Sequence, residues 1–150
     1  MSDDINDRVS DGVREAMKNE VFKRGLAVRR QVVGDAYVDA SLLAADEFSL
    51  PIQELATKYC WGEVWTREDL SRKTRSLVNI GMITALNRPA ELRHHIRGAL
   101  RNGCTRVEVR EVLLQTAVYC GLPAALDGFR IAREAFADFE AESAASSAAN

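Results

Sequence analysis

Histidine and cysteine are scarce in this chain, and their scarcity removes most chemistry that short motifs announce. The two histidines, His94 and His95, are adjacent, and neighbours on a helix cannot both face one metal. Glu91-x-x-His94 matches half of a di-iron motif, but that site needs a second copy and further glutamates. None is present, so no metal is expected. Cys60, Cys104 and Cys120 are odd in number and widely spaced. They make neither a disulfide framework nor a zinc signature and are expected to stay reduced. No apolar run approaches the length of a membrane span. A net charge of −2 leaves no electrostatic footprint for nucleic acid. Met1-Ser-Asp-Asp-Ile5 is acidic where a secretory signal is basic and then apolar, so the expected location is cytoplasmic. Nothing alternates with period two, which excludes a half-buried sheet.

What remains is a series of helix-length segments separated by turn signals, enough for one domain with a real core. The expected fold is all-α, compact, with about six to seven helices. Residues 1–20 repeat Ile5, Val9, Val13 and Met17 every fourth position, broken at Asp11-Gly12, and read as a helical arm on a partner subunit or a frayed extension. A helix follows over Glu20 to Val33, with Phe22, Leu26, Arg29 and Val33 on one side and Gly34 as its stop. Asp35 is expected to cap a helix from Ala36 to Phe48. Ser49-Leu-Pro51 opens another to about Trp65, with Ile52, Leu55, Ala56 and Tyr59 inward. Ser71 caps a helix to Asn87 that is apolar nearly all round and is expected to be the most buried, with Gly81 admitting a close neighbour. Pro89 and Gly103 bracket the next, with Leu92, Ile96, Ala99 and Leu100 inward and Arg93, Arg97 and Arg101 toward water. Thr105 and Glu108 form a capping box for a helix to Cys120. The last runs from Ala124 to about Glu140, and residues 141–150, mostly alanine and serine, are expected to be disordered. The domain proper is therefore 21–140.

Two places can carry chemistry. Glu91 and His95 stand one turn apart, so the two side chains can meet at the edge of the apolar stripe. A core histidine tied to a carboxylate is the alternative. In Tyr59-Cys-Trp-Gly-Glu-Val-Trp65, Glu63 lies among aromatics. Burial there would favour the protonated carboxyl and make it a general acid; a solvated helix end is the other reading. Arg75 enters the buried section of its helix and points either into a cavity or to the surface. Glu111 and Gln115 fall on a second face of the helix that ends at Cys120.

The ordered pattern Leu77-x-x-Ile80, Glu91-Leu-x-x-His95-Ile-x-x-Ala-Leu-x-Asn-Gly103, Thr105-Arg-Val-Glu-Val-Arg-Glu-Val-Leu-Leu-Gln115 and Tyr119-Cys-Gly-Leu-Pro-Ala-Ala125 resembles the carboxymuconolactone decarboxylase family. Upstream, Arg29-Arg30-x-Val-Val-Gly-Asp35 and Trp61-Gly-Glu-Val-Trp-Thr-Arg67 are similar to its decarboxylase branch. The likeness spans about Phe22 to Phe136. The family's alkylhydroperoxidase-like branch carries a Cys-x-x-Cys pair before the histidine, and Arg88 and Glu91 occupy those positions here. Thiol peroxidase chemistry, which needs a thiolate and a resolving cysteine, is disfavoured.

The resemblance implies a cofactor-free lyase of protocatechuate catabolism, converting γ-carboxymuconolactone to β-ketoadipate enol-lactone and CO2. It further implies a homo-oligomer, a trimer or hexamer, with no nucleic-acid or membrane partner. The substrate is its own electron sink, so the protein must orient a dianion, stabilise an oxyanion and protonate a carbon. On that footing His95 hydrogen-bonds the lactone or delivers the proton, Glu91 holds the His95 tautomer, and Glu63 is the competing donor. Arg75, with Arg30 as second choice, clamps a carboxylate. Trp61 or Trp65 surrounds the leaving carboxylate, and Glu111, Gln115 and Tyr119 line the cavity. A family lyase acting on another lactone or β-keto acid, and a non-catalytic helical oligomer, are the alternatives.

Overall fold

The computed structural model describes residues 3–148, and they divide into two compact units, one ending at Asp69 and the other beginning at Leu70. Among the described residues every regular element is helical, so the fold is all-α. No helix among them is long and apolar enough to cross a membrane.

The first unit holds α1 (Asp3–Arg8), α2 (Asp11–Ala16), α3 (Glu20–Val33), α4 (Asp35–Leu43) and α5 (Leu50–Leu55), followed by a π-helix (Ala56–Val64). Ile5, Val9 and Val13 are buried in the same core as Phe22, Leu26, Val32, Val38 and Leu42. Within the described residues before α3, Ile5, Val9, Val13 and Ala16 thus belong to this core, with Met17 packed against it. Ser10 caps α2 through its side chain, which accepts from the Val13 amide. Asn19 caps α3 in the same way. Asp35 does not cap α4: Gly34, at φ 94°, takes the cap position without a side-chain bond, and the helix ends at Leu43 rather than Phe48. Phe48 is 92% exposed.

The π-helix corrects the expected face of this stretch. Widening the bonding from i→i+4 to i→i+5, as in the Trp65 amide to the Cys60 carbonyl at 2.9 Å, adds a residue to each turn and rotates the inward side. Thr57, Trp61, Gly62 and Trp65 go in, while Ile52, Leu55 and Tyr59 stay out. Glycine makes the packing possible. A β-carbon at Gly25 would stand 2.0 Å from the Thr57 carbonyl oxygen, and one at Gly62 would stand 2.7 Å from the Val21 carbonyl oxygen. Here α3 and the π-helix touch backbone to backbone.

The second unit contains α6 (Arg72–Ala85), α7 (Pro89–Arg101), α8 (Arg106–Cys120) and α9 (Leu122–Ala148). Ser71 caps α6, and the capping box of Thr105 and Glu108 is formed at α8. The core is Ile80, Leu92, Ile96, Ala99, Val109, Leu113, Ile131, Ala132 and Ala135. Helix α6 is not the most buried element: only Ser76, Ile80 and Thr84 are buried, whereas Val78, Met82 and, at its C-cap, Leu86 are exposed. Gly81 is not needed for close approach, since a β-carbon there would rest 3.6 Å from Val112.

The expected disordered tail is helical as far as it is described, with its last two residues outside the described range. The reason is electrostatic. Arg93 grips Asp138 with two bonds of 2.7 and 2.9 Å. Arg97 and Arg101 both pair with Glu142. The arginines expected to face water instead tie α7 to α9.

Candidate active site

On α7, apolar residues at helical spacing bury Leu92, Ile96 and Ala99 and leave the side chain that precedes Ile96 at the edge of the core. That side chain is His95, which is half-buried. Burial holds its imidazole well below the ordinary range, at about 4. The neighbouring His94 adds to the depression, and the Glu91 carboxylate one turn earlier opposes it. At neutral pH the ring is therefore neutral, offering one N–H and one bare nitrogen. It can hydrogen-bond a developing oxyanion as it stands. As a proton donor it must first be charged, which a bound anion would favour. His94 lies on a different side, lining a surface depression with Arg93, Arg97 and Asp138.

A cavity of about 390 Å³ runs between α6 and α8, lined by Leu77, Val78, Gly81, Val112, Gln115, Thr116, Tyr119 and Cys120. Gln115 and Tyr119, both singled out from sequence, share its wall. Its other walls are mainly apolar, which suits part of a small organic substrate better than a highly charged one. Glu111 is not among the lining residues; it is exposed and accepts from Arg110 at 2.9 Å. Arg75 is half-buried on α6. Burial pushes the Cys104 thiol up, away from the thiolate that peroxidase chemistry requires.

The remaining candidates belong to the first unit. Trp61 and Trp65 are buried core residues, their rings 4.9 Å apart and tilted by 32°. Glu63 does not sit in their apolar wall. The π-helical turn carries it outward, where its side chain is 53% exposed and pairs with Arg24 at 3.2 Å. Arg30 is occupied by Asp35 at 3.1 Å and by Asp39. Its neighbour Arg29, expected only as part of the core stripe, is buried and bonded to Gln53 and Thr57. The adjacent pair of arginines was the one signal in the sequence. Which of the two turns inward depends on the packing of α3.

Residues 51–134 match the model of the carboxymuconolactone decarboxylase family. The chain is 42% identical to 4-carboxymuconolactone decarboxylase of Acinetobacter baylyi over 117 residues, 78% of this chain and 87% of that one. It is 40% identical to nitrosuccinic acid decarboxylase of Metarhizium robertsii over 129 residues, 86% of this chain and 90% of that one. An uncharacterised 15.0 kDa protein of Paracoccus denitrificans is 38% identical over 84 residues, 55% of this chain and 63% of that one. The all-helical chain with its His95-bearing α7 belongs to the carboxymuconolactone decarboxylase family. It is a carboxy-lyase.

Proposed function

We propose that the protein decarboxylates γ-carboxymuconolactone to β-ketoadipate enol-lactone and CO2, in the protocatechuate branch of aromatic catabolism, without a cofactor. The observation that carries this reading is the Glu91–His95 pair on α7, inside the stretch that matches the family. The bond between the ring carbon and the departing carboxylate breaks heterolytically. Its electron pair moves through the ring double bond onto the lactone carbonyl oxygen, giving a dienolate. A proton then adds to the carbon next to that carbonyl, restoring the lactone. Neutral His95 donates its N–H to the charged oxygen, the point where charge grows in the transition state. Glu91 opposes the burial of the ring without overcoming it, so the proton for the carbon passes from solvent through His95 only once the bound anion has raised the ring's proton affinity. Gln115 and Tyr119 serve as polar groups on the wall of the α6–α8 cavity, with Arg75 as a carboxylate partner. Glu63, exposed and paired with Arg24, is given no proton-transfer role.

A second reading follows from the likeness to nitrosuccinic acid decarboxylase. A nitro group accepts an electron pair on oxygen as a lactone carbonyl does. Both substrates also contain a succinate skeleton that loses the carboxylate attached to the carbon conjugated with the sink. The same residues would serve a nitro-dicarboxylate, with charge collecting as a nitronate.

Ultraviolet turnover of fresh γ-carboxymuconolactone by the purified protein, with chelator present, tests both readings beside nitrosuccinate. Lactone consumption with CO2 release is expected, falling about a hundredfold or more in His95→Ala. Turnover of nitrosuccinate alone moves the assignment to the second reading. Failure of both substrates with folded protein removes them together.

We further infer a homo-oligomer, a trimer or hexamer. Val78 and Met82 on α6, Leu86 at its C-cap, and Val118, Leu122 and Leu126 on α8 and α9 are exposed apolar side chains, the kind that a second copy covers.

A further inference from the structure

Arg29 and Arg30 are consecutive on α3, yet they meet opposite fates. Arg30 reaches the surface and is neutralised by Asp35 and Asp39. Arg29 turns inward and keeps only 6% of its surface exposed. Its Nη1 donates to Gln53 Oε1 at 3.0 Å and to Thr57 Oγ1 at 3.2 Å. Both acceptors are neutral. No carboxylate among the described residues pairs with Arg29. The ionisable groups that act on it are Tyr37, Cys60 and the like-charged Arg30.

A guanidinium does not escape burial by losing its proton, because its basicity is too high. Removing it from water is costly unless an opposite charge returns what hydration supplied. Neutral oxygens return only part of this, and burial accordingly drags the proton affinity of Arg29 downward. Both hydrogen bonds also leave from Nη1, so the Nε–Nη2 edge, one of the two edges that hold a carboxylate bidentately, is not engaged by the protein. Thr57 belongs to the π-helix, and irregular helical turns of this kind concentrate at functional sites.

We propose that Arg29 is the cationic centre of a carboxylate-binding site in the first unit, with Gln53 and Thr57 holding its Nη1 and so aiming the guanidinium. The ligand is a small organic carboxylate, seated on the Nε–Nη2 edge. It has two possible sources with the same chemistry: a carboxylate of the decarboxylase substrate, or a free carboxylic acid acting as an effector. Only the first rests on the proposed function. If it is the substrate, it is the carboxylate retained in the product, since a cation fixed to the departing one would stabilise the ground state more than the transition state.

Thermal denaturation of the full chain in sodium succinate, against sodium chloride at matched ionic strength, tests the site. Succinate carries the skeleton shared by both candidate substrates and has no electron sink, so it is not turned over. The wild type is expected to show a saturable, succinate-specific rise in melting temperature. Arg29→Met should melt no lower than the wild type without succinate, because an uncompensated buried charge has been replaced by an apolar chain of similar length, and it should show no succinate shift. Arg29→Lys keeps the charge but not the bidentate edge, and should need about tenfold more succinate for the same shift. A wild type without the shift overturns the proposal, as does Arg29→Met that keeps it; should Arg29→Met fail to fold, an unweakened response in Arg29→Lys overturns it.

Kinetics then separate the sources. A raised KM with kcat kept in Arg29→Lys assigns the carboxylate to the substrate. An unchanged KM with a weakened succinate shift assigns it to an effector, and either result sustains the site. A succinate shift that depends on Arg29, in a protein that turns over neither candidate substrate, leaves the site standing and removes the proposed reaction.

Discussion

Helix α3 meets the π-helix in the first unit at Gly25 and Gly62, where there is no room for a methyl group. In the second unit α7 meets α9 through Arg93, Arg97 and Arg101 paired with Asp138 and Glu142, side chains that can lengthen or rotate. The first contact is rigid and intolerant, and a buried cation, Arg29, lies one turn further along α3. The second is adjustable, and it leaves apolar side chains of α6, α8 and α9 in the open. The lesson is that close backbone contact and side-chain ion pairs both hold helices together, but only the former makes one atom's addition decisive.

The largest effect on stability should come from attacking the rigid contact. Gly25→Ala places a methyl against backbone that cannot move aside, and should cost about 3 kcal/mol, read as a loss of roughly 10 °C in melting temperature. A melting temperature within a degree or two of the wild type would mean that the two backbones are not in contact.

Next in size is a pH effect in the second unit. Unfolded His95 titrates near 6.5 and folded His95 at about 4. Between these values the unfolded chain binds more protons, so stability must fall as pH drops from about 6.5 to about 4, and level off below. Allowing for the part of the ring that meets solvent, the loss is about 2 kcal/mol. His94, depressed by burial and by Arg97 and Arg93, acts in the same direction, so urea titrations should compare the wild type with His95→Gln. The variant is expected to lose the His95 share of the slope; equal slopes would show that the folded ring titrates normally.

The exposed apolar residues of α6, α8 and α9 predict that dilution short of unfolding yields no stable monomer. Light scattering at micromolar concentration checks this, and a monodisperse monomer would count against the oligomer. The smallest effect belongs to Gly81→Ala. With Val112 at ordinary contact distance, the substitution should be neutral or raise stability by about 1 kcal/mol through helix propensity. A marked loss would show that α6 and α8 approach more closely than the structure indicates.

The sequence by itself determined the all-α class, the boundaries of α3, α6, α7 and α8 to within a residue or two, and the caps at Ser71 and Thr105. Each of these depends on neighbours three or four positions away, which periodicity and capping residues record directly. It also placed Glu91 and His95 one turn apart, because i and i+4 on a regular helix leave no choice. Tertiary structure alone decided the π-helix, since nothing local distinguishes i→i+5 from i→i+4 bonding until Gly25 and Gly62 meet. That one change of period sent Glu63 outward and Trp61 and Trp65 into the core. The same holds for Arg29 against Arg30, adjacent and identical in kind: only the packing of α3 against Gln53 and Thr57 selects which is buried. The helical end of α9 likewise waits on Arg97 and Arg101, some forty residues away in sequence, whose charges give Glu142 a partner that composition cannot reveal.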